Sequence, residues 1–366
     1  MPIDRIFDAV VIGGGPAGLT GALYLARFRR TVLLVDEGRS RAARIPRAHN
    51  YPGFAEGIEG AMLVAAMQHQ ALRHGVNFAV GRATSIERKL SGFEVVWGGG
   101  RAAARSVLLT TGISDIEPVM PHLADAVRDG TLRYCPPCDA YEIIDQAVGV
   151  VTDGAKGVAE ALFLRHFTAR VTLFLTRRNA GVTDEDRARL ADAGVTFVEE
   201  PTRAIRWRDG TIVIVHGEHE TVCDSLYCAL GVYVHSELAL RIGARRDDEG
   251  FLLIDDHHET SVEGLYAAGD VVRGLNQITV ATGGATVAAS EMHRALLASD
   301  PKPSSEPAGA GARSAADGVS PPSAPGDSST GPARVGGGEP PAAAPMPASV
   351  GAEHADPDAA AAKATH

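Results

Sequence analysis

Residues 9–18 read Ala9-Val10-Val11-Ile12-Gly13-Gly14-Gly15-Pro16-Ala17-Gly18. An apolar run breaks into three glycines and a proline just before a stretch with helical periodicity. Phe7 to Ile12 reads as a buried strand, Pro16 to Arg29 as a helix and Thr31 to Val35 as a second strand. Between strand and helix stands Gly-x-Gly-x-x-Gly. Gly13 permits the tight turn, Gly15 lets a pyrophosphate approach the backbone, and Gly18 lets the helix close on the strand. The phosphates then lie at a helix N-terminus, whose free amides and dipole favour anions. Asp36 ends the second strand, where a carboxylate takes the ribose hydroxyls of an adenine dinucleotide. The bland alternative is a glycine-rich turn that merely packs tightly.

A similar unit recurs at Ala147 to Val151, Val158 to Thr168 and Val171 to Leu175. Two βαβ units imply two halves with parallel sheets. Apolar residues at helical spacing in 61–72 and 281–297 pack around them. Late in the chain, Gly264-Leu265-Tyr266-Ala267-Ala268-Gly269-Asp270 is a strand ending in Gly-Asp. There the glycine admits a ribityl chain and the carboxylate reaches it.

The chain has 366 residues and a net charge of −10 from 35 basic and 45 acidic side chains. That balance argues against a surface built to bind nucleic acid or anionic lipid. No apolar run is long enough for a membrane span, and the N-terminal stretch reads as a strand, not a signal peptide. Composition changes at Pro301. Residues 301–366 hold more than half of the 21 prolines and no aromatic side chain, so disorder is expected there.

Four cysteines in a chain this long are not a disulfide scaffold, which suits a reducing cytoplasm. Two of them fall in Arg133-Tyr134-Cys135-Pro136-Pro137-Cys138-Asp139. Thiols two residues apart can close a small disulfide, and a neighbouring carboxyl such as Asp139 can move the proton that dithiol chemistry requires. The prolines place Cys135 before a helix and open its first turn. The rival is half a zinc site completed by Cys223 and Cys228. Cys228 alternates with Leu226 and Leu230 in a strand-like run, which fits a buried thiol better. His257 and His258, among Asp255, Asp256 and Glu259, read as a solvated turn, so no metal site is expected.

Together these residues resemble the low-molecular-weight thioredoxin reductase family across residues 5–298. The glycine loop, Asn50-Tyr51-Pro52-Gly53-Phe54, Thr110-Thr111-Gly112, the CPPCD segment, Gly269-Asp270 and Asn276-Gln277-Ile278 appear in the family's order. The resemblance implies an α/β protein of two Rossmann-like three-layer domains. An FAD domain would span 1–115 and 245–298, an inserted NAD(P)H-like domain 116–244 with the dithiol, and a tail 299–366. It implies Gly13, Gly15, Pro16, Ala17 and Gly18 at the FAD diphosphate and Asp36 at its adenosine ribose. Asn50, Gly269, Asp270, Gln277 and Ile278 would lie along the ribityl chain and ring, and Thr111 and Gly112 would also bind the cofactor. By the same resemblance Cys138 faces the flavin, Cys135 attacks the substrate disulfide, Asp139 is the acid–base, and the protein is a homodimer. Its partner would be a thioredoxin-like protein or a small-molecule dithiol or disulfide.

The second glycine loop departs from the family pattern. Thr152-Asp153-Gly154-Ala155-Lys156-Gly157 replaces the turn glycine with threonine and sets an aspartate beside the expected pyrophosphate. The family's His-Arg-Arg becomes Leu175-Thr176-Arg177. Gly154, Gly157, Arg177 and Arg178 are the residues left to hold NADPH, so the donor stays open between NADPH and another reductant. Three readings follow: a reductase, an NADPH-independent dithiol oxidase using dioxygen, and a flavin-bound redox sensor that is not an enzyme.

Overall fold

The computed structural model describes residues 6–178 and 181–300; the expected tail from Pro301 onward lies outside them. The chain opens with β1 (Ile6–Ile12), α1 (Pro16–Arg27), β2 (Val32–Asp36), α2 (Gly60–Arg73) and β3 (Asn77–Val80). A meander of β4 (Ala83–Lys89), β5 (Gly92–Trp97) and β6 (Gly100–Leu109) follows, then β7 (Ile113–Asp115) and α3 (Leu123–Arg128). Next come β8 (Leu132–Arg133), α4 (Pro136–Asp139), β9 (Ala147–Thr152), α5 (Lys156–Leu164), β10 (Arg170–Leu175), α6 (Asp184–Asp192) and β11 (Thr196–Val198). An antiparallel ribbon of β12 (Thr202–Arg208), β13 (Thr211–His216) and β14 (His219–Cys223) leads into β15 (Ser225–Ala229). The last elements are β16 (Val232–Val234), α7 (Glu237–Leu240), β17 (Leu265–Ala267) and α8 (Ile278–Ser299).

The first sheet runs β3-β2-β1-β6-β5-β4, with β17 also paired to β6. β1, β2, β3, β6 and β17 pair in parallel, whereas β5 and β4 are antiparallel. β1 is central, and Ala9, Val10 and Val11 are fully buried. A strand covered on both faces reads as a continuous apolar run, which is what Ala9 to Ile12 shows. α1 and α8 cover one face through small side chains, among them Ala22, Ala285, Ala288 and Ala289. The second sheet, β11-β10-β9-β15-β8, is parallel throughout. Both βαβ units expected from the sequence are present. Between the two sheets in sequence, β7 and β16 pair antiparallel. The second helix starts at Lys156 and stops at Leu164, earlier at both ends than its apolar periodicity suggests.

Candidate active site

The glycine turn after β1 is tight for steric reasons. Gly13 has φ +106°, and a Cβ there would lie 2.4 Å from the Thr110 carbonyl oxygen. A Cβ at Gly18 would fall 1.8 Å from the Gly13 carbonyl oxygen, so α1 can seat on β1 only with glycine at that position. The Thr110 hydroxyl donates to the carbonyls of Ile12 and Gly13 at 2.9 and 3.0 Å. Asp36 reaches back across the turn and accepts from the Gly14 amide at 2.8 Å and the Gly38 amide at 3.0 Å. The amides of Gly15, Ala17 and Gly18, at the start of α1, have no partner among the described residues. Unused donors at a helix N-terminus are what a diphosphate requires.

From this turn a continuous cavity of about 1010 Å³ extends to the CPPCD segment. Gly13, Gly15, Pro16, Ala17, Asp36, Asn50, Thr111, Gly112, Gly269, Asp270, Gln277 and Ile278 all line it, as do Cys135, Cys138 and Asp139. Gly18 does not. Its Cα serves the helix–strand contact, while its backbone amide stays among the donors left without a partner. Gly154, Gly157, Arg177 and Arg178 also lie away from the cavity.

Cys135 and Cys138 form a disulfide. Cys135 precedes the short helix α4, and Pro136 and Pro137 open its first turn, as the local sequence requires. Gln277, which precedes the 22-residue α8, brings its side-chain amide nitrogen to 3.3 Å from Cys138 Sγ and 3.6 Å from Cys135 Sγ. Its amide oxygen accepts from Asn50 Nδ2 at 2.9 Å. Asn50 and Gln277, remote in sequence, thus join into one polar bridge to the sulfurs.

Asp139 is held at both oxygens. Arg133 pairs with Oδ2 at 3.0 Å and the Tyr227 hydroxyl donates to Oδ1 at 2.7 Å. Burial pushes its pKa above the usual carboxylate range, against the opposing pull of Arg133 and of both hydrogen bonds. Asp270 is also raised by burial, to about 6, with Arg41 holding it down and Asp115 adding to the rise. Arg41 is clamped by Asp115 through two bonds of 2.8 Å. The sequence reading missed Arg41, Asp115 and Tyr227, because only the fold brings them to the site. Arg133 carried a weak signal, its place two residues before Cys135.

Cys223 and Cys228 are buried in or beside the second sheet. Burial pushes the Cys223 thiol up to about 12 and drives that of Cys228 up as well, so neither ionises readily. His257 is exposed as expected, near Glu291 at 3.5 Å. His258 departs from the expected solvated turn: its Nδ1 sits 3.0 Å from the Ala267 carbonyl, and its ring fills the space beside Gly284 of α8.

The chain matches the model of the pyridine nucleotide-disulphide oxidoreductases over residues 7–285. It belongs to that family. The thioredoxin reductase of Treponema pallidum is 30% identical over 306 residues, 78% of this chain and 96% of that protein. The crystal structure of HlmI superposes with a TM-score of 0.75 at 28% identity, covering 81% of this chain and 95% of that one. Thioredoxin reductase of Streptococcus pyogenes gives 0.74 at 26% identity, over 80% and 99%. The oxidoreductase is thus an FAD-dependent disulfide enzyme of the thioredoxin reductase type, with an α/β Rossmann-like fold. FAD fits the residues present: a turn with unused amides, a cradle that only glycine leaves open, and a cavity that ends at the disulfide. No helix among the described residues is long and apolar enough to cross a membrane.

Proposed function

We propose that this oxidoreductase passes electron pairs between FAD and a thiol or disulfide substrate through Cys135–Cys138. One observation carries the reading. The Gln277 amide touches both sulfurs while its other end is tied to Asn50 in the same cavity that begins at the glycine turn. Bound FAD supplies a two-electron acceptor and donor that a polypeptide lacks.

The amides of Gly15, Ala17 and Gly18, beside Asp36, fit the diphosphate and adenosine end. Asn50, Thr111, Gly112, Gly269, Asp270, Gln277 and Ile278 fit the ribityl chain and ring. Cys138, nearer to Gln277, is the sulfur on the flavin side, and Cys135 is the one that exchanges with substrate. Asp139 holds the proton exchanged with the thiol. Arg133 and Tyr227 fix both its oxygens and leave each with a free lone pair. The proposed domains are 1–115 with 245–298 around FAD, and 116–244 carrying the dithiol.

The relatives named thioredoxin reductase support a thioredoxin-like protein as substrate, and the mobile chemistry of a dithiol also suits a small molecule. A homodimer in the cytoplasm completes the reading, consistent with the free cysteines and the acidic charge. The test is a pair of single variants. Cys138→Ser should trap a mixed disulfide between Cys135 and substrate, seen by mass spectrometry, while Cys135→Ser should trap none. Full turnover by either variant would remove the relay.

A further inference from the structure

Three side chains that share no local motif meet in the cavity beside the glycine turn. Asp270 follows Gly269, whose φ is +76° and where a Cβ would lie 2.8 Å from the Ala17 methyl. Glycine lets the chain pass that close to the first turn of α1, which delivers Asp270 beside the amides that fit the diphosphate. Arg41 opens the 3-10 turn Arg41–Arg44 that follows β2, and Asp115 ends β7. All three line the cavity.

Their spacing is unequal. Asp115 takes Nε and Nη2 of Arg41 in a two-pronged bond, both arms 2.8 Å long. The other terminal nitrogen, Nη1, stops 3.9 Å from Asp270 Oδ2. At that distance the charges attract, but no hydrogen bond forms. Among the described residues nothing donates to either carboxylate oxygen of Asp270. Its lone pairs therefore stay open to a ligand while a permanent cation stands beside them. Asp115 fixes that cation and, being an acid itself, opposes its pull on Asp270. The neighbouring charges are engaged elsewhere. Arg44 pairs with Glu117 at 2.5 Å, and Arg273, just beyond Asp270, pairs with Asp247 at 2.7 Å and Glu249 at 3.4 Å. The Tyr134 phenol lies within electrostatic range of Arg41, and burial holds it neutral.

We propose that Arg41 is a positioning residue of the FAD site: its charge holds Asp270 as a carboxylate, and its reach leaves both Asp270 oxygens to accept ribityl hydroxyls. The role rests on the place given to Asp270 under the proposed function and adds the residue that sets its charge. A carboxylate accepts on every lone pair, whereas a carboxylic acid turns one oxygen into a donor. Burial pushes Asp270 up to about 6, with Arg41 pulling it down. Hydroxyl donors favour the charged form, so cofactor retention weakens as pH falls through that region. Without the Arg41 cation the carboxyl takes its proton at higher pH, and the weakening starts earlier.

Retention of FAD by the holoenzyme, followed by equilibrium dialysis from about pH 5 to about pH 9, tests this. Wild type should lose affinity below about pH 6. Arg41→Met should move that fall to higher pH, hold FAD up to about tenfold more weakly near neutrality, and approach wild type at the alkaline end. Arg41→Lys keeps the charge and should bring the fall back toward its wild-type position. In an Asp270→Asn background Arg41→Met should change nothing, since no carboxylate is left to hold. A loss of the same size at every pH overturns the proposal and assigns Arg41 to packing or to direct contact with the cofactor. An unchanged Arg41→Met profile beside a weakened Asp270→Asn overturns the proposal alone. Wild-type retention by Asp270→Asn at every pH overturns the place of Asp270 in the site as well. Thermal melting reports whether each variant is folded, and Arg41→Gln repeats the comparison if the methionine variant is not.

Discussion

The side-chain amide of Gln277 lies 3.3 Å from Cys138 Sγ, and Gln277 immediately precedes the first turn of α8. A neutral donor therefore faces that sulfur. A donor at that distance favours a thiolate over a thiol.

Gln277→Ala removes that donor and frees Asn50. A net hydrogen bond is worth about 1 kcal/mol, so dithiol-driven bleaching of the flavin should slow about fivefold in stopped flow. Flavin content after gel filtration should stay close to wild type. An unchanged bleaching rate would show that the amide does not act on the sulfur.

Asp139 has two partners, and each lowers the pKa that burial raises. Asp139→Asn should cost about 10²–10⁴ in kcat, the usual worth of a general acid–base. Tyr227→Phe removes a bond to the charged form, so the Asp139 pKa must rise. Where the carboxylate acts as base, the acidic limb of the pH–rate profile then moves to higher pH. Arg133→Met should move it the same way. A limb that stays in place with Tyr227→Phe would assign it to another group.

Gly18→Ala tests the turn by size alone. The new methyl would sit 1.8 Å from the Gly13 carbonyl oxygen, so α1 must lift from β1 and its N-terminal amides must leave the diphosphate position. The variant should purify with little or no yellow colour and a lower melting temperature. Stoichiometric FAD in Gly18→Ala would show that the turn adapts.

Asp8 ties β1 to its neighbours. It accepts from the Thr31 amide and hydroxyl at 2.8 and 2.9 Å and from Arg105 at 2.9 Å. Burial raises its pKa, but these bonds outweigh that and hold it below the usual carboxylate value. A depressed folded-state pKa adds stability that is present above the unfolded pKa and lost as pH falls through the folded one. Asp8→Asn should therefore lower the melting temperature near pH 7 by a few degrees, about 1–2 kcal/mol after allowance for solvent screening. The gap to wild type should close below about pH 4. A gap that persists in acid would assign the loss to packing.

Much of the site was legible in the chain because its signals are local. Gly13, Gly15 and Gly18 announce a turn that other residues cannot make, and Pro136 and Pro137 place Cys135 ahead of a helix whatever surrounds them. The departure at Thr152 was likewise visible as a missing glycine. Its consequence was not, since a hydroxyl that satisfies Gly154 and Ala229 can be seen only once β9 and β15 are side by side.

Local backbone preference and apolar periodicity, both written within a few residues of one another, determined the two βαβ units, the glycine turn and the sulfur pair. The tertiary structure alone decided that Gln277 bridges Asn50 to Cys138 and that Arg133 and Tyr227 grip Asp139. Those contacts join segments up to 227 residues apart. No short-range rule specifies such a meeting; it follows from burying two sheets and their covering helices, which carries these polar side chains into hydrogen-bonding reach.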